Sequence, residues 1–311
     1  MREHLTHAIY YAEVHLIYSS LVWLAAWVLT SSTRVTATAK HWIWLATGLN
    51  FVVPLGALVD SLFASHITWA KPLGVVGGAG AAVAENLSLV AALCVVWSVG
   101  AVVMLARLCA RIAIERRSVE ATLLDHSVTT RSFRTAGVLV RFSDPQHAPA
   151  VNGVWRSFIS LPQGIERLLS ERELNSVLMH ELAHARRHDN LIRLVFEIAL
   201  CALWFHPLLW MTGSRLALYR ELSCDESVIS HGHGRELLAA LTKLAVFDER
   251  PLLQATATSY FAHRLARLTR TGGARDSGLG NAVSTMCFGL VLVAGLLSTV
   301  AHTACCFAAK I

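Results

Sequence analysis

Charged residues are scarce in this sequence. Asp, Glu, Lys and Arg account for only 15% of its 311 residues, whereas hydrophobic residues account for 54%. The mean hydropathy is correspondingly high, at +0.50. A purely soluble enzyme does not have this composition, so we expect much of the chain to lie in lipid.

Paired cysteines are also lacking. The seven cysteines show neither a CxxC pair nor a repeated spacing, and most of them lie in apolar segments. This pattern excludes a disulfide framework and a cysteine metal site, and it favours small buried side chains. Internal repeats and recognition motifs for nucleic acids are absent as well. The net charge of +6 is therefore better explained by membrane topology than by nucleic-acid binding.

Long apolar stretches are what the sequence does contain. A helix needs about 20 mostly apolar residues to cross roughly 30 Å of hydrocarbon. One such stretch is also typical of a buried core helix, but several in one chain favour membrane spans. The four predicted spans are Tyr11 to Thr30, Trp42 to Phe63, Leu87 to Ala106 and Met286 to Phe307.

The first of these spans has an alternative interpretation as a cleaved signal peptide. The residues Ala37 to Ala39 resemble a small-residue cleavage site. However, Glu3 and Glu13 accompany Arg2, and acidic residues are atypical of the basic start of a signal peptide. We therefore interpret the stretch as a span.

Basic residues cluster where the predicted spans meet the soluble part of the chain. Because cytoplasmic flanks of membrane spans collect Lys and Arg, these clusters indicate the orientation. They predict that residues 107–280 face the cytoplasm and that both chain termini lie outside. The clusters are Arg107, Arg111, Arg116 and Arg117 after the third span, and Arg264, Arg267, Arg270 and Arg275 before the fourth.

The sequence thus predicts three transmembrane helices in residues 1–106, a cytoplasmic domain in residues 107–280 and a C-terminal transmembrane helix in residues 281–311. Within the cytoplasmic domain, Gly137 to Phe142 and Arg156 to Pro162 have the composition of strands and are flanked by turn residues. The other patterned segments of this domain are helical. We expect a helical membrane protein with an α+β soluble domain.

A helix with a well-marked start carries the first functional motif. Ser170 and Glu173 have the spacing of a capping box, which predicts that a helix begins there. The motif HExxH follows, and His180 and His184 project from one helical face, so both can reach the same metal ion. Glu181 is adjacent and can reach a water on that ion. We interpret Arg186 to His188, just beyond the motif, as a solvated helix end.

HExxH alone is only suggestive, because catalytic zinc needs a third protein ligand and an open position. Glu221 can supply that ligand, and Asp225, four residues later on the same helical face, can support a ligand histidine from behind. The alternative for Glu221 is an exposed acidic helix face, since Leu218, Leu222 and Val228 make the segment amphipathic without any metal.

A further apolar segment, Leu191 to Gly213, lies between the two motifs. Arg193 and Glu197 reduce its uninterrupted apolar run to well below the spanning length. A full crossing would also put HExxH and Glu221 on opposite sides of the membrane, which a shared zinc ion forbids. We predict a re-entrant or interfacial hairpin, with a helix break at Pro207.

Together these motifs resemble the BlaR/MecR-type membrane zinc metallopeptidases, the signal-transducing proteases of bacterial beta-lactam resistance. The resemblance rests on HELAHARRHDN and RELSCDESV, and it extends to ISLP, FHPLLW and FAHRLARL. It covers roughly Ala101 to Leu279, and the four-span layout matches. The resemblance implies a gluzincin-like peptidase domain facing the cytoplasm of a bacterial inner membrane. It also implies that Zn²⁺ is bound by His180, His184 and Glu221, with Glu181 as the catalytic base.

The resemblance implies a function in signal transduction. The expected activity is zinc-dependent cleavage of a cytoplasmic protein, such as a helix-turn-helix transcriptional repressor or the peptidase itself. Receptors of the family carry a large extracytoplasmic sensor domain after the last span, whereas this chain stops at Ile311. The departure argues against direct antibiotic sensing by these residues, and a separate sensor protein is one candidate partner, besides the lipid bilayer.

Two other functions remain open from the sequence. A membrane-protein quality-control or CAAX-type protease would use the same zinc ligands on other substrates. A non-proteolytic transducer would keep zinc only for structure. Glu181 weighs against the transducer, because a structural zinc site does not need a carboxylate beside an open coordination position.

Overall fold

In the computed structural model, the described residues are 2–32, 35–52, 87–124, 132–143, 148–247, 255–271 and residue 286. The chain divides into two compact units. The first comprises Met1–Ala106, Ala199–Leu216 and Leu279–Ile311, and the second comprises Arg107–Ile198 and Ala217–Gly278. Each is described by itself below.

The first unit contains helices α1 (Arg2–Ser31) and α2 (Ala37–Val52) and the beginning of α3 (Leu87–Leu124). Among the described residues, one helix, Ser88–Arg117, is long and apolar enough to cross a membrane, and His15–Ser31 is a shorter apolar helix. The first and third predicted spans lie within α1 and α3. Most of the other two falls outside the described residues, so the count of four spans remains a prediction.

Helices α1 and α2 pack through aromatic and polar side chains. The rings of Trp23 and Trp44 meet edge to face, with their centroids 5.7 Å apart. In the same helix pair, the side-chain amide of the buried Asn50 donates to the hydroxyl of Ser19 over 3.1 Å. That hydroxyl donates to the backbone carbonyl of Asn50. Ser19 and Asn50 thus satisfy each other's hydrogen bonds between two apolar helices, as a low-dielectric environment favours.

The second unit contains a mixed sheet, which within the described residues has four strands in the order β1-β2-β4-β3. Strands β2 and β4 run parallel, and the two outer pairs are antiparallel. The predicted strands correspond to β2 and β4, whereas β1 and β3 were not predicted. The strands are β1 (Ser132–Thr135), β2 (Val138–Ser143), β3 (Ala150–Asn152) and β4 (Phe158–Pro162).

Six helices follow the sheet along the described part of the chain and contribute to the second unit, and two of them continue into the first unit through residues Ala199–Leu216. They are α4 (Ile165–Leu168), α5 (Glu171–Arg186), α6 (Asp189–Ala202), α7 (Pro207–Ser230), α8 (Gly234–Phe247) and α9 (Ala255–Thr271). Val177 on α5 is buried in one apolar cluster with Val140 and Ile159 of the sheet and Val228 of α7. The first turns of α5 are therefore fixed against the sheet and α7.

The start of α5 is set by the capping box that the sequence predicts. The hydroxyl of Ser170 accepts from the Glu173 amide, and the Glu173 carboxylate accepts from the Ser170 amide over 2.7 Å. The same carboxylate accepts from the ammonium of Lys243 on α8, also over 2.7 Å. These bonds fix both the first turn of α5 and its contact with α8.

The predicted helix break within the apolar segment is confirmed. Helix α6 ends at Ala202, and α7 begins at Pro207, where a missing amide proton costs no hydrogen bond. Around this break the apolar side chains of Phe205, Trp210 and Met211 are exposed. The segment is therefore a helical hairpin with an apolar surface.

Candidate metal centre

Helices α5 and α7 bring the three predicted ligands together. The Nε2 atoms of His180 and His184, one turn apart on α5, are separated by 3.1 Å. The Oε2 atom of Glu221, from α7, lies 3.7 Å from each of these nitrogens. The three side chains form a group that can hold a metal ion.

The spacing of these atoms fits a tetrahedral zinc site. Zinc bonds to imidazole nitrogen and carboxylate oxygen are about 2.0–2.2 Å long, which puts neighbouring ligand atoms of a tetrahedron about 3.3–3.5 Å apart. The observed separations of 3.1 and 3.7 Å lie on either side of that value. Two imidazoles and one carboxylate also leave a fourth position open, as catalytic sites require.

His184 and Glu221 shift each other's pKa within this group. Burial lowers the pKa of His184, but the charge of Glu221 and the hydrogen bond to Asp189 raise it well above its usual value. Burial raises the pKa of Glu221, but the charge of His184 and hydrogen bonds from both histidines hold it well below its usual value. Both shifts arise from the close approach of His184 and Glu221, and a metal ion bound by both would replace any proton held there.

Asp225 lies behind His180, as the sequence predicts. Its Oδ1 atom is 3.0 Å from the Nδ1 of His180, although the ring N–H does not point directly at that oxygen. Asp225 is fully buried, and Arg264 of α9 grips it with two hydrogen bonds of 2.8 and 2.9 Å. Burial raises the pKa of Asp225, but His180 and Arg264 hold it below its usual value.

A second buried carboxylate, Asp189, lies behind His184 and was not predicted. Its Oδ2 atom is 2.6 Å from the Nδ1 of His184. Burial raises the pKa of Asp189, but hydrogen bonds from His184 and Arg187 hold it below its usual value. The signal in the sequence was an acidic residue five positions after the second histidine, at the first position of the next helix.

The prediction that Arg187 belongs to a solvated helix end is wrong. Helix α5 ends at Arg186, and His188 takes the left-handed conformation with a φ of 55°, so the chain turns at this corner before α6 begins at Asp189. Arg187 lies inside the corner, with its side chain only 17% exposed. It donates to both carboxylate oxygens of Asp189 and to the hydroxyl of Ser223 on α7. Arg186 and His188 are exposed, as predicted.

Cys224 joins a second group of candidate ligands, with His184 and Asp189. The Arg187 guanidinium already fills the space between two of them. It lies 3.1 Å from the Cys224 sulfur and 2.6 Å from the Asp189 carboxylate. The positive charge of Arg187 therefore explains why Asp189 and Cys224 lie close together without a second metal ion.

A cavity of about 660 Å³ opens onto the metal-binding group. The three ligands and Glu181 line it on one side, and Leu241 of α8 contributes to an apolar side. The volume lies within the range of small-ligand sites. Glu181 and the ligands thus face one space that can admit a segment of substrate.

Comparison with known proteins finds a match over most of the chain. Residues 13–268 match the family described as BlaR1 peptidase M56. The regulatory protein BlaR1 of Bacillus licheniformis is 29% identical over 220 residues, which are 66% of this chain and 36% of that protein. The methicillin resistance mecR1 protein of Staphylococcus aureus is 23% identical over 120 residues, which are 37% of this chain and 20% of that protein. The matched region therefore spans about a third of the length of the BlaR1 protein and a fifth of the length of the mecR1 protein.

Proposed function

The chain belongs to the BlaR1 peptidase M56 family, and we propose that it is a membrane-embedded zinc endopeptidase of the gluzincin type. The observation that carries this proposal is the convergence of His180, His184 and Glu221 on one point beside Glu181, at the edge of a cavity. A structural zinc site would be closed by a fourth protein ligand. Here the open side faces the cavity, as a hydrolytic site requires.

The proposed mechanism divides the work between the ion and the protein. Zinc held by His180, His184 and Glu221 would polarise the scissile carbonyl and lower the pKa of a bound water to about 7. Glu181 would take the proton of the attacking water and deliver it to the leaving amine. Asp225 and Asp189 would hold the two imidazoles in the tautomer that presents Nε2 to the ion.

We place this activity in signal transduction at a bacterial cytoplasmic membrane, with residues 107–280 facing the cytoplasm. The relatives named above are a regulatory protein and methicillin resistance proteins, which supports a regulatory role. The proposed substrate is a cytoplasmic protein, either a helix-turn-helix repressor or the peptidase itself. The exposed apolar residues at the turn of the α6–α7 hairpin fit the proposed contact with the bilayer.

Replacement of Glu181 with glutamine tests the peptidase function. The full chain is purified in detergent, its zinc content is measured by elemental analysis, and cleavage of unfolded β-casein and of the chain itself is followed. We expect the variant to keep about one zinc ion per chain, because its three ligands are unchanged, and to lose cleavage. A zinc-loaded Glu181→Gln chain that cleaves as fast as the wild type would disprove the role of Glu181 as the base.

A further inference from the structure

Two partly buried arginines occupy equivalent places around the metal-binding group. Each metal-binding histidine has a buried carboxylate near its Nδ1 atom. One arginine donates hydrogen bonds to both oxygens of each carboxylate. Arg264 grips Asp225 behind His180, and Arg187 grips Asp189 behind His184. Side-chain exposure is 13% for Arg264 and 17% for Arg187. Neither residue belongs to HExxH or to the Glu221 and Asp225 pair.

From this arrangement we infer that Arg187 and Arg264 are positioning residues, each of which fixes the carboxylate that orients one metal-binding histidine. A carboxylate with one neighbour can rotate about its terminal torsion angle. A guanidinium that binds both oxygens removes this freedom, because its donors form a rigid planar fork. The inference rests on the proposed zinc site and adds the residues that determine its rigidity.

Each arginine also links separate helices. Arg264 is on α9, and besides Asp225 it approaches the metal ligands themselves, with one nitrogen 3.5 Å from Glu221 Oε2 and another 3.4 Å from His180 Nε2. Arg187 joins the end of α5 to α7, where it also donates to the backbone carbonyl of Arg220 over 3.2 Å. The distance between the histidines on α5 and the glutamate on α7 therefore depends on both arginines.

Simple charge balance is the competing explanation, because Asp225 and Asp189 are buried and need a nearby cation. Substitution of the arginine by lysine distinguishes charge balance from positioning. It keeps the positive charge but supplies a point donor in place of the fork. If charge balance is the whole role of Arg264, the Arg264→Lys variant keeps the zinc affinity of the wild type. If positioning is the role, Arg264→Lys binds zinc about 10–100-fold more weakly than the wild type, as changes behind metal ligands do.

The chain provides a matched control on the same two helices. Arg267 lies one turn after Arg264 on α9 and pairs over 2.5 Å with Glu226, the residue next to Asp225 on α7. This pair is also partly buried. The hydrogen bonds of Asp225 and Asp189 described above involve neither residue, so Arg267→Lys should leave zinc affinity unchanged.

The test measures zinc affinity by competition with a chelator, using full-length chains in detergent. The Co²⁺-loaded chains are also compared by visible absorption, which reports ligand geometry and does not require catalysis. We expect weaker zinc binding and an altered Co²⁺ spectrum for Arg264→Lys and Arg187→Lys, and wild-type behaviour for Arg267→Lys. Wild-type affinity and spectrum in both lysine variants at positions 187 and 264 would overturn the inference.

A double-mutant cycle tests the inference even if a single variant fails to fold. Arg264→Gln alone leaves a buried carboxylate unpaired, but Asp225→Asn with Arg264→Gln removes both charges. If Arg264 acts through Asp225, the double variant binds zinc no more weakly than Asp225→Asn alone. Additive losses would show that Arg264 acts independently of Asp225. A wild-type chain that binds no zinc would overturn the proposed function as well, whereas intact wild-type binding with unaffected variants overturns only this inference.

Discussion

Replacement of Asp189 with asparagine removes the charge behind His184 and leaves the side-chain size unchanged. The structure places a 2.6 Å hydrogen bond between Asp189 and the Nδ1 atom of His184. Asparagine still suits the start of a helix, so α6 should begin at the same residue. What is lost is the charge that raises the basicity of the zinc-binding nitrogen and fixes the ring. We expect zinc affinity to fall about 10–100-fold, which corresponds to about 1.4–2.7 kcal/mol.

Two measurements on the purified full-length chain check this expectation. Chelator competition gives the zinc affinity directly. Thermal melting with and without zinc gives an independent value, because at saturating zinc a 100-fold weaker affinity removes about 2.7 kcal/mol of zinc-dependent stabilisation. Glu226→Gln is the control, since this carboxylate also pairs with an arginine but is not one of the carboxylates found at the Nδ1 atoms of the two histidines. Wild-type zinc affinity in a folded Asp189→Asn chain would refute the role given to Asp189.

Further changes probe other parts of the account. Glu221→Ala should lower zinc occupancy in elemental analysis, because it removes a ligand, whereas Asp225→Asn should weaken affinity about 10–100-fold without abolishing binding. Zinc affinity should fall as the pH drops through the raised pKa of His184, because the protonated ring must lose its proton before it can bind zinc. A zinc affinity that does not change with pH would contradict the interaction of His184 with Glu221 and Asp189. Ser170→Ala should lower the free energy of unfolding by about 1 kcal/mol in thermal melts, since it removes a helix cap; no change would mean that α5 starts independently of it. A reporter fused after Ile311 should be accessible from outside the cell, and a cytoplasmic signal would mean that the predicted span count is off by one.

The features that were predictable from the sequence depend on residues close together along the chain. The capping box needs only Ser170 and Glu173, and the shared face of His180 and His184 follows from helical geometry. Strands β2 and β4 are rich in β-branched and aromatic residues and were found. Strands β1 and β3 were missed because they are short and lack an alternating pattern, so their pairing depends on the strands beside them.

The supporting residues of the metal centre were missed for a different reason. Arg264 contacts Asp225, 39 positions earlier, and no local pattern relates the two. Its position before a predicted span made it look like a charge that only sets membrane orientation. Arg187 was misinterpreted because a basic residue at a helix end is usually solvated. The tight turn at His188 directs it inward, and no glycine marks that turn in the sequence.

The central claim is that His180, His184 and Glu221 bind one zinc ion. X-ray absorption at the zinc edge, on the full-length chain loaded with zinc, tests it most directly. We predict one zinc ion per chain with only nitrogen and oxygen neighbours, at about 2.0–2.2 Å, two of them imidazoles, and loss of this signal in Glu221→Ala. A sulfur neighbour at about 2.3 Å would indicate that Cys224 is a ligand, and together with an unchanged signal in Glu221→Ala it would contradict the proposed site.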